Sequence, residues 1–85
     1  MAMNKENINK QVVITALGFR KNLVSFPRRM EYDGETINFV DAGLRCLVRC
    51  GNYIAEFFTL SDGKSVFHLR LDKQNNDWTL ISITT

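Results

Sequence analysis

The chain has 85 residues and a mass of 9.8 kDa, which suffices for one small domain but excludes a two-domain enzyme. Hydrophobic residues make up 45% and charged residues 24%, a globular composition that excludes a wholly disordered chain. The net charge of +2 is mildly basic and does not by itself indicate a nucleic-acid-binding protein. No apolar run reaches the roughly 18 residues of a transmembrane helix, so we expect no membrane association.

Cysteine usage and the polar N-terminus both favour a reducing, cytoplasmic setting. Small secreted domains usually carry more cysteines than the two of this chain, Cys46 and Cys50. The opening residues also lack the apolar region of a signal peptide. We therefore expect a cytoplasmic protein with a single domain over residues 1–85, in which residues 1–4 are disordered or derived from a tag.

Residues 5–18 carry two conflicting patterns. Apolar residues recur there at helical spacing, namely Ile8, Val12, Ala16 and Phe19. Asn4 and Gly18 fit the two ends of such a helix. Residues 12–15 are four consecutive β-branched residues, which disfavour a helix. On balance the spacing predicts one N-terminal helix, with a strand as the alternative.

The rest of the chain predicts antiparallel β-structure, because dipeptides typical of tight turns recur along it at intervals of 11 to 18 residues. Asp33-Gly34, Gly51-Asn52 and Asp62-Gly63 fit two-residue hairpin loops, and residues 73–77 form a longer polar turn. The runs between the turns are rich in β-branched and aromatic residues. They predict six strands, at residues 26–32, 35–40, 44–50, 53–60, 64–72 and 78–84.

Loop lengths also predict which residues face each other across neighbouring strands. Two-residue loops pair Cys46 with Phe57, Leu47 with Glu56, Phe57 with His68, and Phe58 with Phe67. The strand at residues 53–60 is then mostly apolar on both faces, so we place it centrally and expect cover over each face. The densest core should collect Ile54, Phe58, Phe67, Leu69, Leu71, Ile81 and Ile83. The first hairpin should add Phe26, Met30, Tyr32, Ile37 and Phe39.

Two thiols and one imidazole are the residues that could suggest a metal site or a nucleophile. On an extended strand, Cys46 and Cys50 lie about 13 Å apart, at about 3.3 Å per residue. That distance is too long for a disulfide or a shared zinc ion. His68 lies two strands from Cys46, which excludes a direct hydrogen bond. We therefore predict two buried free thiols, no metal, no cofactor and no catalytic residue.

A short basic block precedes an acidic one. Arg20, Lys21, Arg28 and Arg29 fall within ten positions that hold no acidic residue, and several acidic residues follow. One interpretation is a phosphate-contacting surface in which a neighbouring phenylalanine stacks on bases. The other is that the two blocks pair with each other or are solvated.

A second charged group is predicted on the central strands. Because Leu47 faces Glu56, both Arg45 and Arg49 lie diagonal to the Glu56 carboxylate. The group could bind an anion, or it could be an ion-pair cluster near the rim of the sheet. We favour the ion pairs and keep Arg45 and Arg49 as candidate binding residues.

No sequence motif of catalysis or nucleotide binding is present. The chain lacks the P-loop, the glycine pattern of dinucleotide-binding domains, the zinc-protease motif and the hydrolase nucleophile elbow. Without a placed nucleophile, base or metal set, we predict that the protein is not an enzyme.

The closing stretch VFHLRLDKQNNDWTLISI resembles the last hairpin of cystatin-like, nuclear-transport-factor-like α+β domains. Those domains pack a helix against a curved antiparallel sheet. The resemblance implies a small-molecule pocket between helix and sheet and carries over no residue roles. The strand count fits a small SH3-like or OB-like barrel equally well.

Together these observations predict a single α+β or all-β domain. Its antiparallel meander of five to six strands forms a curved sheet or small barrel, with one N-terminal helix. We expect a non-enzymatic binding module that acts through protein–protein contacts or self-association, because one short helix cannot cover two apolar sheet faces. The alternatives are nucleic-acid binding through Arg20, Lys21, Arg28 and Arg29, and the cystatin-like pocket.

Overall fold

Seven β-strands form the regular structure of residues 4–19, 21, 24–40 and 43–85, which are the residues that the computed structural model describes. The strands are β1 (Lys5–Phe19), β2 (Ser25–Tyr32), β3 (Glu35–Asn38), β4 (Leu44–Cys50), β5 (Tyr53–Ser61), β6 (Val66–Asp72) and β7 (Asp77–Thr84). They pair antiparallel in the order β3-β2-β1-β7-β6-β5-β4. The domain is therefore all-β within the described residues.

Strand β1 corrects the predicted N-terminal helix. Its first half pairs with β7, up to Val12 opposite Trp78, and its second half pairs with β2, from Val13 opposite Glu31. Both pairings contain register shifts, so the strand bends as it passes from one partner to the other. The β-branched run at residues 12–15 lies at this crossover, and pairing on both sides favours the extended state over the helical spacing.

The core lies between the β2–β3 hairpin and the β5–β6–β7 part of the sheet. Its buried side chains are Val12, Met30, Phe39, Phe58, Leu60, Phe67, Leu69 and Leu80. The Phe39 and Phe67 rings lie 5.5 Å apart, edge to face. The backbone N–H of Val40 donates to the carbonyl of Ser61 at 2.9 Å. The sheet thus curls until the end of the first hairpin meets β5.

The predicted β4–β5 register is confirmed for every pair, including Leu47 with Glu56. The predicted β5–β6 register is wrong by two residues, because Phe58 faces Leu69 and not Phe67. The Asp62 carboxylate accepts hydrogen bonds from the backbone N–H groups of Lys64 and Ser65, at 2.9 and 2.8 Å. These bonds build a longer loop than the predicted two-residue one. Since the shift is even, Phe58 and Phe67 still share one face.

A second irregularity lies between β6 and β7. The register shifts by one residue between His68 and Leu69. Leu80 therefore faces Leu69 in the core, where Ile81 was predicted. Ile83 packs against the core as predicted.

Candidate functional site

Strand β4 ends the sheet and is exposed along its whole length. Among the seven described strands, it is the one in which every residue is exposed. It pairs with β5 on one side, and no described strand pairs with the other side. The backbone donors and acceptors on that free side form an open edge, which we call the β4 edge.

The two faces of β4 differ in charge. One face carries Leu44, Cys46, Val48 and Cys50 and has no ionised group. The other carries Arg45, Leu47 and Arg49. Leu44 is 74% exposed and Leu47 49% exposed, so the strand presents aliphatic side chains to solvent on both faces. Aliphatic exposure on a regular edge strand is typical of a surface that contacts another chain.

The cysteines lie on one face of β4, as the register predicted, but they are not buried. Both are free and exposed. The prediction of buried thiols is wrong because the cysteines lie on an edge strand and on the sheet face opposite the core, which collects Phe58 and its neighbours. Among the described residues, no group of three or more His, Cys, Asp or Glu side chains is arranged to hold a metal ion.

A buried carboxylate anchors the basic face of β4. Glu56 is 4% exposed and accepts hydrogen bonds from Arg45 and Lys73. Burial alone would raise the pKa of Glu56, but the bonds from the two cations outweigh it and hold this pKa below its ordinary value. The same bond raises the pKa of Arg45. The predicted ion pair with Glu56 is thus confirmed for Arg45.

Lys73 takes the position that the sequence assigned to Arg49. In the observed register Leu71 faces Glu56, so the side chain two residues further along, just past the end of β6, lies diagonal to the carboxylate. The two-residue error in the β5–β6 register concealed this contact. Arg49 has no ion-pair or hydrogen-bond partner among the described residues, so its charge faces solvent beside the β4 edge.

The opposite face of the sheet carries a polar network. The Tyr53 hydroxyl donates to the Asp72 carboxylate, which raises the pKa of Tyr53. Arg70 pairs with Asp72 at 3.2 Å and donates to Thr79 at 3.4 Å. His68 lies 3.3 Å from the Thr59 hydroxyl. Each polar group is satisfied by a neighbour, and the network places no base against a cysteine.

The basic block is described only in part. Arg28 and Arg29 are both exposed and lie between the buried Pro27 and Met30, at a register shift of the β1–β2 ladder that interrupts the alternation of faces. Arg29 donates to the Thr15 hydroxyl at 3.0 Å, whereas the stem of Arg28 lies over Gly18. Lys21 is exposed, and Arg20 lies outside the described residues.

Comparisons with protein-family models, with curated proteins and with solved structures found no match for this chain. The described part of the chain contains no helix with the length and hydrophobicity to cross a bilayer.

Proposed function

We propose that the protein is a cytoplasmic, non-enzymatic binding module that contacts other protein chains through the β4 edge. The observation that carries the proposal is the complete exposure of β4 beside a well-covered β5. An open, regular strand binds by adding a partner's strand to the sheet, since main-chain hydrogen bonds supply affinity and alternate side chains supply specificity.

The other open strands are less suited to this role. β3 has four residues and exposes polar side chains such as Glu35 and Thr36. The second half of β1 contains two register shifts, which bend it away from a straight ladder. Short length, charge and bulges are the devices that protect sheet edges from pairing. β4 has seven residues, no proline and no register shift.

Site-specific photo-crosslinking in cells tests this proposal. A photo-reactive benzoylphenylalanine replaces Leu47 on β4 or, as the matched control, Thr36 on β3. We expect discrete protein adducts from position 47 at several times the yield from position 36, and we expect Arg49→Glu to change that yield. Equal yields from the two positions would show that β4 is not the contact strand.

Nucleic-acid binding remains the alternative, with less support. Lys21, Arg28 and Arg29 are exposed, but the Arg29 guanidinium donates to Thr15 within the chain. Light scattering with mixed oligonucleotides at two salt concentrations separates the two functions. If nucleic acid binds through the basic block, replacing Arg28 and Arg29 with alanine should reduce the salt slope by up to about 0.9 per lost phosphate contact. No salt-dependent binding at low ionic strength would exclude this alternative.

The small-molecule pocket of the cystatin-like resemblance has lost its structural basis. The segment that should form the helical wall is strand β1. We therefore do not include it in the proposal.

A further inference from the structure

We infer that the occupant of the β4 edge is β4 of a second copy of this chain, paired antiparallel about a twofold axis. The pairing is offset from the middle of the strand so that cysteines of the two copies face each other. This inference rests on the proposed function, because it requires β4 to be the contact strand. Backbone geometry and charge on β4 carry it.

The hairpin turn determines which backbone groups point outward. The loop Gly51-Asn52 joins Cys50 directly to its partner Tyr53, and Gly51 has the positive φ of 57° that such a turn requires. In a two-residue hairpin the closing pair exchanges backbone hydrogen bonds. The even-numbered residues of β4 therefore bond to β5. The backbone groups of Arg45, Leu47 and Arg49 point outward, as donors and acceptors for a further strand.

A twofold axis limits the registers that β4 can adopt with its own copy. Two residues that are directly opposed in an antiparallel ladder have their side chains on the same face of the sheet. The twofold axis must therefore lie midway between one residue of β4 and the same residue of the other copy, and we name each register by that residue. An axis at Arg45 or Arg49 sets that arginine against itself, and an axis at Leu47 sets Arg45 against Arg49 of the other copy. Like charges that face each other directly are destabilising. An axis at Leu44 or Cys50 pairs only that terminal residue of β4 with its own copy and leaves the rest of the strand unpaired. Axes at Cys46 and Val48 remain, and both set an arginine against Leu47.

Both remaining registers bring cysteines face to face. With the axis at Cys46, this residue faces its own copy. With the axis at Val48, Cys46 faces Cys50 of the other copy, twice by symmetry. These are non-hydrogen-bonded pairs, in which Cα atoms lie about 4.5 Å apart, at the short end of the range for a disulfide.

The side chains of β4 complement their own copy in these registers. The uncharged face sets Leu44, Cys46, Val48 and Cys50 against one another, with no ionised group to desolvate. On the basic face, Arg45 is held by Glu56, which shares its single negative charge with Lys73, and the aliphatic stem of an arginine lies over Leu47. β4 also lacks the lysines and proline that protect natural edges from self-pairing. A second copy therefore meets the strand without a buried unpaired carboxylate or an arginine facing an arginine.

The native cysteines allow a direct test. Diamide accepts two electrons and two protons as two thiols form one disulfide, and the product is read as a covalent dimer on a non-reducing gel. The wild type should give a dimer at low micromolar concentration, and Cys46→Ser should not. Cys50→Ser should retain the dimer if the axis is at Cys46 and lose it if the axis is at Val48. An undiminished dimer from Cys46→Ser would overturn the inference.

Charge substitution at Leu47 provides a second test under reducing conditions. Because Leu47 faces an arginine of the other copy, Leu47→Lys should weaken the dimer and Leu47→Glu should strengthen it relative to Leu47→Lys. Each substitution changes two symmetry-related cross-strand pairs in the dimer. We therefore expect the charge of each new side chain to change the Kd of the dimer by about 2- to 30-fold. The two variants share the loss of the leucine side chain and differ in sign of charge. Equal effects would exclude an arginine opposite Leu47.

Failure of the inference can be distinguished from failure of the proposed function. Self-pairing is overturned if the chain stays monomeric by light scattering up to about millimolar concentration and forms no disulfide dimer. A dissociation constant in that range corresponds to only about 4 kcal/mol of binding free energy. If position 47 still crosslinks to a different protein, β4 remains the contact strand and its occupant is heterologous. If position 47 gives no more adduct than position 36, both proposals fail.

Discussion

Strands β4 and β5 lie side by side in one regular register and have different surroundings. Arg45 of β4 directly faces Phe58 of β5, and Phe58 is 2% exposed whereas all of β4 is exposed. Both strands are rich in aliphatic or aromatic residues. The difference comes from the β2–β3 hairpin, which places Phe39 and Met30 over β5, β6 and β7 and stops short of β4. On this face of the sheet, the hydrophobicity of a strand does not by itself determine its burial. Burial is determined by which strands the β2–β3 hairpin covers.

The largest expected difference between the two strands is in their response to truncation. Phe58→Ala should lower the free energy of unfolding by about 3–5 kcal/mol, because it empties a buried aromatic site beside Trp78. Leu47→Ala, on the same sheet face but exposed, should cost under about 0.5 kcal/mol in the monomer. Urea unfolding at low protein concentration measures both. Similar costs for the two variants would contradict the contrast between β4 and β5.

The entry into β4 is the next most sensitive position. Gly43 has a φ of +61°, and a Cβ atom there would lie 2.0 Å from the carbonyl oxygen of Thr59. Gly51, at the far end of β4, has a similar φ of +57° with open space around it. Gly51→Ala should therefore cost about 1 kcal/mol of backbone strain. Gly43→Ala should cost about 2–4 kcal/mol, since the clash adds to the strain.

Thermal unfolding of the two glycine variants isolates the clash with Thr59 from the strain that both share. Equal costs would mean that the chain around residue 43 moves freely away from β5. β4 would then be attached to the domain only through its ladder with β5.

Glu56 links the two strands electrostatically, and its contribution to stability depends on pH. Its pKa is lower in the folded chain than the ordinary value of 4.5, so ionised Glu56 stabilises the fold above about pH 4.5. That contribution is lost as the pH falls through the folded pKa. Glu56→Gln should cost about 1–2 kcal/mol at pH 7, because charged hydrogen bonds become neutral ones. It should also flatten the acid limb of the stability curve.

Denaturant unfolding between pH 2.5 and 7 measures the effect of Glu56→Gln. The pKa of Asp62 is also lowered, mainly by the backbone hydrogen bond from Ser65, so part of the acid limb should remain in the variant. A pH dependence identical to that of the wild type would show that Glu56 is not ionised in its pair with Arg45 and Lys73.

Local turn chemistry made much of the fold predictable from the sequence. Gly51-Asn52 admits a two-residue hairpin, and the resulting β4–β5 register is confirmed pair by pair. At Asp62-Gly63 the same reasoning failed, because the Asp62 side chain bonds two following backbone groups and lengthens the loop. At residues 5–19 no local rule sufficed, since pairing with β7, far along the chain, determines the extended state.

The sequence predicted one contact of the candidate site but not the solvent exposure of its side chains. The contact between Arg45 and Glu56 follows from a register that the sequence specifies. The contact of Lys73 with Glu56 depends on the β5–β6 register, which the sequence did not specify. The exposure of Cys46 and Cys50 depends on which face of the sheet packs into the core, and they lie on the other face. The choice of face is a property of tertiary packing and leaves no pattern within β4 itself.

A small effect is also expected on the polar face of the sheet, opposite the core. The Arg70 side chain is 35% exposed and pairs with Asp72 on a face that no described strand covers. Surface ion pairs contribute little, so Arg70→Ala should cost under about 1 kcal/mol. In the variant, Asp72 keeps the hydrogen bond from Tyr53. The positive charge of Arg70 lowers the pKa of Tyr53, so the loss of this charge should raise that pKa further. Urea unfolding and ultraviolet titration measure the two effects. A cost above about 2 kcal/mol would mean that Arg70 stabilises this face as strongly as core residues stabilise the other, because losses of that size arise from buried groups.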